Sequence, residues 1–458
     1  MNSKHLQHLY WRAGFGILPN KVRQYSKSTL AEVIEELFEN SKRITPLKVD
    51  TSYFNNITGE EYKENRALRL KAIDKSNELR KEINYKWLER LTNPKEILRE
   101  RMTLFWANHF VCENKNIIYV QHYNNTLRKH ALGNFKSFVK AISREPAMLN
   151  YLNIKQNKKL KPNENFAREL LELFTIGVGN YTEKDIQEAA RAFTGYYHDF
   201  KGNFKIRGLH HDQGQKTFFN EVGNFRGDAI INIILDQPQC ARFICEKIYR
   251  YFVNDKIVPS HINEMVNVFY PSYNIEPLMR HIFSAYWFYD SKNIGAKIKS
   301  PVDLLVGIQN IVPIQFLEKN ELLKIQRILG QTLFSPPNVA GWEGGKGWID
   351  SNTMIARLRL ASILMNEFEI PINEKAGFID KYRRQYFKNN SNKSIFKTKP
   401  NWKVFHENFD SFSPKTLEDT LVLSKINKGT KMYLNRLAKS SKQNYCIQLM
   451  SLPEYQMC

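Results

Sequence analysis

Apolar residues recur along this chain with the period of an α-helix and alternate only in short runs. The clearest example is residues 163–196, NENFARELLELFTIGVGNYTEKDIQEAARAFTGY. Asn163 can cap a helix that runs from Glu164 to about Phe174 and stops at Gly177. On a helical wheel Asn165, Arg168, Glu169 and Glu172 share an arc of about 100°. Phe166, Ala167, Leu170, Leu171, Leu173 and Phe174 fill the wider arc opposite. So broad an apolar face predicts a mostly buried helix whose narrow polar strip either meets solvent or lines a cleft. Thr182 with Asp185 makes a capping box for a second helix ending near Gly195, with Glu188 and Arg191 on its polar side.

The same periodicity predicts two short helices in residues 4–40 and a charged helical stretch over 59–91. A helix follows from Pro94 to about Phe110, with Asn93 as cap and Glu96 at the capping-box position. Residues 117–143 predict a helix broken near Gly133, and 227–235, 239–252, 261–270, 275–285, 301–311 and 318–329 predict further helices. Residues 200–220, FKGNFKIRGLHHDQGQKTFFN, turn and alternate like a small β-hairpin or extended flap. The Pro- and Gly-rich run SPPNVAGWEGGKGW (335–348) is a loop that feeds a helix capped by Ser351 or Asn352, and a last helical region spans 414–450. Strands are too few for a parallel sheet, so the expected class is all-α: one multi-helix globular unit of two or three subdomains with small β-hairpin additions. A working subdivision is 1–196 (N-terminal helical part), 197–225 (extended flap), 226–379 (central helical part), 380–405 (basic flap) and 406–458 (C-terminal helical tail).

Composition narrows this picture. With 42% apolar and 13% aromatic residues in 458, a sizeable core is available and disorder across the chain is excluded. Lys and Arg number 68 against 46 Asp and Glu, a net charge of +22 that favours anionic partners or serves plain solubility. An anionic small molecule or a glycan fits that field. Nucleic acid fits less well: the 380–405 segment interleaves Tyr382, Tyr386, Phe387, Phe396, Trp402 and Phe405 with Lys and Arg, yet no helix-turn-helix, RNP motif or zinc finger accompanies it. The five cysteines form no CxxC pattern, and their odd number argues for free thiols. The opening MNSKHLQHLYWRAGFG lacks an uninterrupted apolar core of a signal peptide, which predicts a cytoplasmic location. No apolar run of about 18 residues occurs, so no transmembrane helix is expected.

The 163–196 stretch, with HLYWRAGFG (8–16), MTLFWANHF (102–110), PAMLNYLN (146–153), HDQGQKTF (211–218), PPNVAGWEGGKGWIDSNTMIARLRL (336–360) and LPEYQMC (452–458), resembles the bacterial family labelled domain of unknown function 1800. The resemblance runs over essentially the whole chain. It implies no settled activity. It does imply gene neighbours of sulfatase- or phosphatase-like appearance, hence an envelope setting, and many relatives are exported.

Candidate chemistry centres on polar residues that these helices would hide. His109 falls among Leu98, Met102 and Phe105 on an apolar face, with Asn108 and Arg101 beside it. It is either a satisfied core histidine or part of a site, and Arg101 is placed to neutralise a carboxylate such as Glu169 or Glu172. His211 and Asp212 lie in the flap. Glu169, Glu172, His109, His211 and Asp212 are therefore the candidate catalytic residues, as general acid and base or as ligands of a divalent metal. HExxH and similar metal spacings are missing, and no other cofactor is indicated. Arg168 and Arg191 would orient an anionic substrate or simply hold the carboxylates. Trp342, Lys346 and Trp348 would bind substrate in a glycine-rich loop, or the indoles would plug the core. Glu169 and Glu172 are expected to face the cleft of His109, and the tryptophan loop to border the same cleft as the flap. With the family context, the expectation is a hydrolytic enzyme acting on an envelope, glycan or other anionic substrate. The alternatives are a non-catalytic binding or scaffold protein acting with a neighbouring gene product, and a basic nucleic-acid-binding protein.

Overall fold

Capping chemistry sets most helix boundaries. The computed structural model describes residues 2–366, 369–370, 394–437 and 440–458, and helices dominate them. The Thr182–Asp185 capping box is formed and starts the helix Glu183–Ala192. Gly133 and the cap Asn134 divide Ile117–His130 from Phe135–Ile142, as the pattern predicts. Residues 4–40 hold three helices rather than two, Ser3–Ala13, Pro19–Tyr25 and Leu30–Asn40, the stretch over 59–91 is divided at Asn65, and three other boundaries also move. The helix expected from Pro94 begins at Ile97, because the Glu96 carboxylate accepts from Thr45 Oγ1 at 2.6 Å and caps nothing. The helix Ser351–Asn366 is capped by Asp350, whose carboxylate accepts from the amides of Asn352 and Thr353. The helix at 165 is α only over Asn165–Glu169 and widens into a π turn over Leu170–Thr175.

The described strands form four two-stranded antiparallel pairs. Two are the hairpins of the flap, Tyr196–His198 with Phe204–Ile206 and Lys216–Phe218 with Glu221–Gly223. A third joins Ile314–Phe316 to Thr398–Pro400. Part of the expected basic flap therefore packs: Phe396 and Phe405 are buried in the core. Tyr382, Tyr386 and Phe387 lie outside the described residues.

Buried apolar side chains gather in two large clusters. The first draws on helices between Ser3 and Ser284, and the second on Arg66–Thr92, Pro301–Ile311, Ser351–Asn366 and the segments after 396. The helix Ile97–His109 lies between them, sending Met102, Phe105 and Trp106 into the first and Leu104 into the second. Buried on nearly every side, it has no polar face to give to solvent, so its charges must find partners inside. Glu100 takes Arg128 at 2.6 Å and the Trp87 indole N–H at 3.1 Å. Arg101 and His109 point to the remaining space between the cores.

Candidate functional site

That space is a cavity of about 570 Å³ at the junction of the two clusters, the kind of place where ligand sites are built. Its wall draws on Arg12 on the first helix, Arg101, Asn108 and His109 on the shared helix, Lys247 and Arg250 on Pro238–Phe252, Asp255 and Lys297 in two separate loops, Asp303 on Pro301–Ile311, and the loop carrying Lys346 and Trp348. Arg12 (1% exposed), Arg101 (4%) and His109 (4%) are deep, whereas Arg250 and Lys346 are exposed at the mouth.

Six cationic side chains line this wall against two side-chain carboxylates, both already paired, while Cys458 adds negative charge that acts to raise Arg12 and Arg101. Arg101 pairs with Asp303, which also closes the capping box with Ser300 at the start of its helix. The guanidinium lies 5.1 Å from the Phe15 ring centroid and 4.9 Å from that of Tyr251. Against the cost of burial, Asp303 holds Arg101 above the ordinary guanidinium range. Lys297 pairs with Asp255. Arg12 donates to the Asn293 carbonyl at 2.9 Å, and burial lowers it despite the opposing pull of Cys458. Lys247 donates to the Leu173 carbonyl at 2.8 Å and forms no ion pair among the described residues, and burial pulls its ammonium down to about 8. Behind the wall, Lys299 sits 4.0 Å from the Trp11 ring and 3.6 Å from the Tyr455 ring, and burial brings it to about 7. The Nε atoms of Arg12 and Arg101 are buried without a partner. A buried donor without an acceptor costs on the order of 1–3 kcal/mol.

His109 is held by its surroundings in one protonation state. Its Nε2 lies 3.0 Å from the Phe174 carbonyl and must carry the proton there. Phe105, Trp106 and Phe110 surround the ring. Burial, then the nearby Lys247 ammonium, pushes the imidazole well below its usual range, so it is neutral. Nδ1 is left as an unpartnered acceptor. Beside it, Asn108 clamps the backbone of Trp342 from both sides, accepting from its N–H at 2.7 Å and donating to its carbonyl at 3.1 Å. Gly341 has φ +83°, and a Cβ there would collide with Asn108 Oδ1.

The structure thus brings His109, Lys346 and Trp348 to one cavity and places the other expected residues elsewhere. Glu169 and Glu172 are not in its wall: the helix that carries them meets His109 through the Phe174 carbonyl, which the π turn presents, and through no carboxylate. Glu172 lies 3.8 Å from Arg168, and Arg168 also binds Glu164 and Glu183. Glu169 is half-buried, and its carboxyl is raised by burial and then by Glu172. Arg101, expected opposite these glutamates, takes Asp303 instead. His211 bonds the Thr194 carbonyl at 2.8 Å, and Asp212 binds Arg191 at 2.8 Å while Arg191 also grips Glu188. They line a separate depression with Lys159 and Gln213, so flap and tryptophan loop do not share a cleft. Trp342 is 6% exposed and faces another hollow, beside Phe334 and Arg80. Among the described residues no three His, Cys, Asp or Glu side chains group closely enough to hold a metal ion. Arg12, Lys247, Lys297 and Asp255 were not singled out by pattern. Asp303 had a signal, the S-x-x-D capping box, which announces its local role but not its partner Arg101.

Fold and site together define a mostly helical protein with a cation-lined cavity between two cores. The family described as Protein of unknown function (DUF1800) matches residues 8–457, and the chain belongs to that family. No curated protein and no solved structure matches it. Among the described residues no helix is long and apolar enough to cross a membrane.

Proposed function

We propose that the protein binds a small oxyanion-bearing molecule in the junction cavity, with Arg12, Arg101 and Lys247 facing the anion and the Nδ1 lone pair of His109 open to a hydroxyl of the same molecule. One observation carries this reading: six cations line the cavity wall against two side-chain carboxylates, and the Nε–H groups of Arg12 and Arg101 have no acceptor. The charge of the whole chain draws anions towards such a site. Titration calorimetry and thermal shift with phosphate and with sulfate at low ionic strength test it. Binding should stabilise the fold by mass action, and Lys247→Gln should weaken it by about tenfold. Absence of any stabilisation by phosphate, sulfate or small dicarboxylates would favour the scaffold role.

A hydrolytic reaction is the second reading, favoured by the free Nδ1 of His109 beside cations. There the lone pair takes a proton from a water attacking the phosphorus or sulfur. The bond to the ester oxygen breaks, the leaving nitrophenolate departs as the anion, and the guanidinium groups hold the charge on the oxyanion. Turnover of p-nitrophenyl phosphate or sulfate that His109→Asn abolishes, with anion binding intact, supports it. Because burial holds His109 neutral, the acid limb of the rate should lie below the usual imidazole range. Turnover unaffected by His109→Asn would remove the role.

A further inference from the structure

The wall holds more positive charge than one anionic group can use. Arg101 and Lys297 are matched by Asp303 and Asp255. Even with Cys458 set against Arg12, Lys247, Arg250 and Lys346 have no acidic partner among the described residues of the wall. These three occupy different depths. Lys247 is partly buried, with its ammonium against the Leu173 carbonyl, whereas Arg250 and Lys346 are exposed at the rim. Beside Lys346, Gly344 presents open space where any other residue would carry a side chain.

We propose that the ligand carries two separate negative groups, one seated deep by Arg12, Arg101 and Lys247 and one held at the mouth by Arg250 and Lys346, as in a diphosphate or other bis-oxyanion. This rests on the anion-binding reading above and adds the ligand's valency to it. A buried station excludes a polymer lying across the surface: the deep donors are reached only by a group small enough to enter a cavity of about 570 Å³. The mouth cations are solvated, so each contributes modestly and is screened by salt, while the deep ones act at lower effective dielectric. Affinity then comes from the deep group and discrimination from the second.

Calorimetric titration of the full chain with orthophosphate and with pyrophosphate, in low salt without divalent cations, tests this. Pyrophosphate should bind at least about tenfold more tightly, with the steeper dependence on salt. The double variant Arg250→Gln/Lys346→Gln, which changes only exposed side chains, should bring pyrophosphate down to the orthophosphate value. Lys247→Gln should weaken both. Equal affinities in the native chain, or a preference that survives the double variant, would overturn the two-station ligand while leaving a single anion site standing. Failure of both ligands to bind the native chain would overturn the anion site itself.

Discussion

Replacing Asp303 by Asn should make the protein less stable and, at the same time, a better anion binder. Asp303 (5% exposed) and Arg101 are both buried, and removing one member of such a pair costs about 3–5 kcal/mol because the other charge is stranded. Asn keeps one oxygen, so part of the contact survives and the lower end, about 3 kcal/mol, applies. The carboxylate also accepts from the Ser300 amide, and weakening that cap adds about 1 kcal/mol. The expected loss is about 4 kcal/mol, read as a lower midpoint in urea with unchanged slope. The stranded guanidinium becomes free to take a ligand anion, so phosphate affinity should rise by about tenfold. Phosphate at about 100 times its Kd should then return about 2.7 kcal/mol of the lost stability. Parallel urea titrations with and without phosphate give both quantities. Lower stability with weaker or unchanged phosphate binding would refute the reasoning, because it would show that Arg101 serves Asp303 alone.

Phosphate affinity should fall as pH rises through about 8, because burial lowers Lys247 to that value from 10.5 and only its protonated form attracts an anion; Lys247→Arg should remove that step from a calorimetric pH series. The sign for folding is opposite: the buried ammonium costs stability below about 8, and this cost fades as pH climbs to 10.5, so unbound Lys247→Met should gain most at low pH in urea titrations. Trp342→Ala should lose about 3–5 kcal/mol from a buried indole, while Lys346→Ala, exposed and unpaired, should leave the urea midpoint in place. Gly341→Ala should cost about 1–3 kcal/mol through its left-handed φ and its collision with Asn108, and Asn108→Ala should reduce that penalty in a double-mutant cycle. Glu169→Gln and Glu172→Gln should leave phosphate affinity within about twofold, since neither lines the cavity; a larger effect would restore them to the site.

Local rules were legible in the sequence where one residue acts on its near neighbours. The Thr182–Asp185 box, the break at Gly133 and the flap hairpins follow from side-chain and backbone chemistry within a few residues. The π turn at Leu170–Thr175 was not legible, because a widened turn needs a tertiary acceptor or donor to hold it, here His109 against the Phe174 carbonyl. The site divided in the same way. His109 stood out as a polar group on an apolar face, and Lys346 and Trp348 as unusual company for glycines. Arg12 and Lys247 look like ordinary helix charges until the fold turns them inward, and Arg168 and Arg191 look functional until their partners Glu183 and Asp212 arrive. A wheel shows which face a charge occupies but not what opposes it.

The helix Ile97–His109 cannot leave one core without disturbing the other. Its amides should therefore exchange with solvent only when the whole molecule opens, whereas the glycine-rich loop over Gly344–Gly347 should exchange through small local openings. The deep donor Arg101 would then ride on slowly exchanging backbone and the mouth cation Lys346 on fast. An anion spanning both would tie the two timescales together, and slowed exchange of the loop amides would record its arrival before any shape change did.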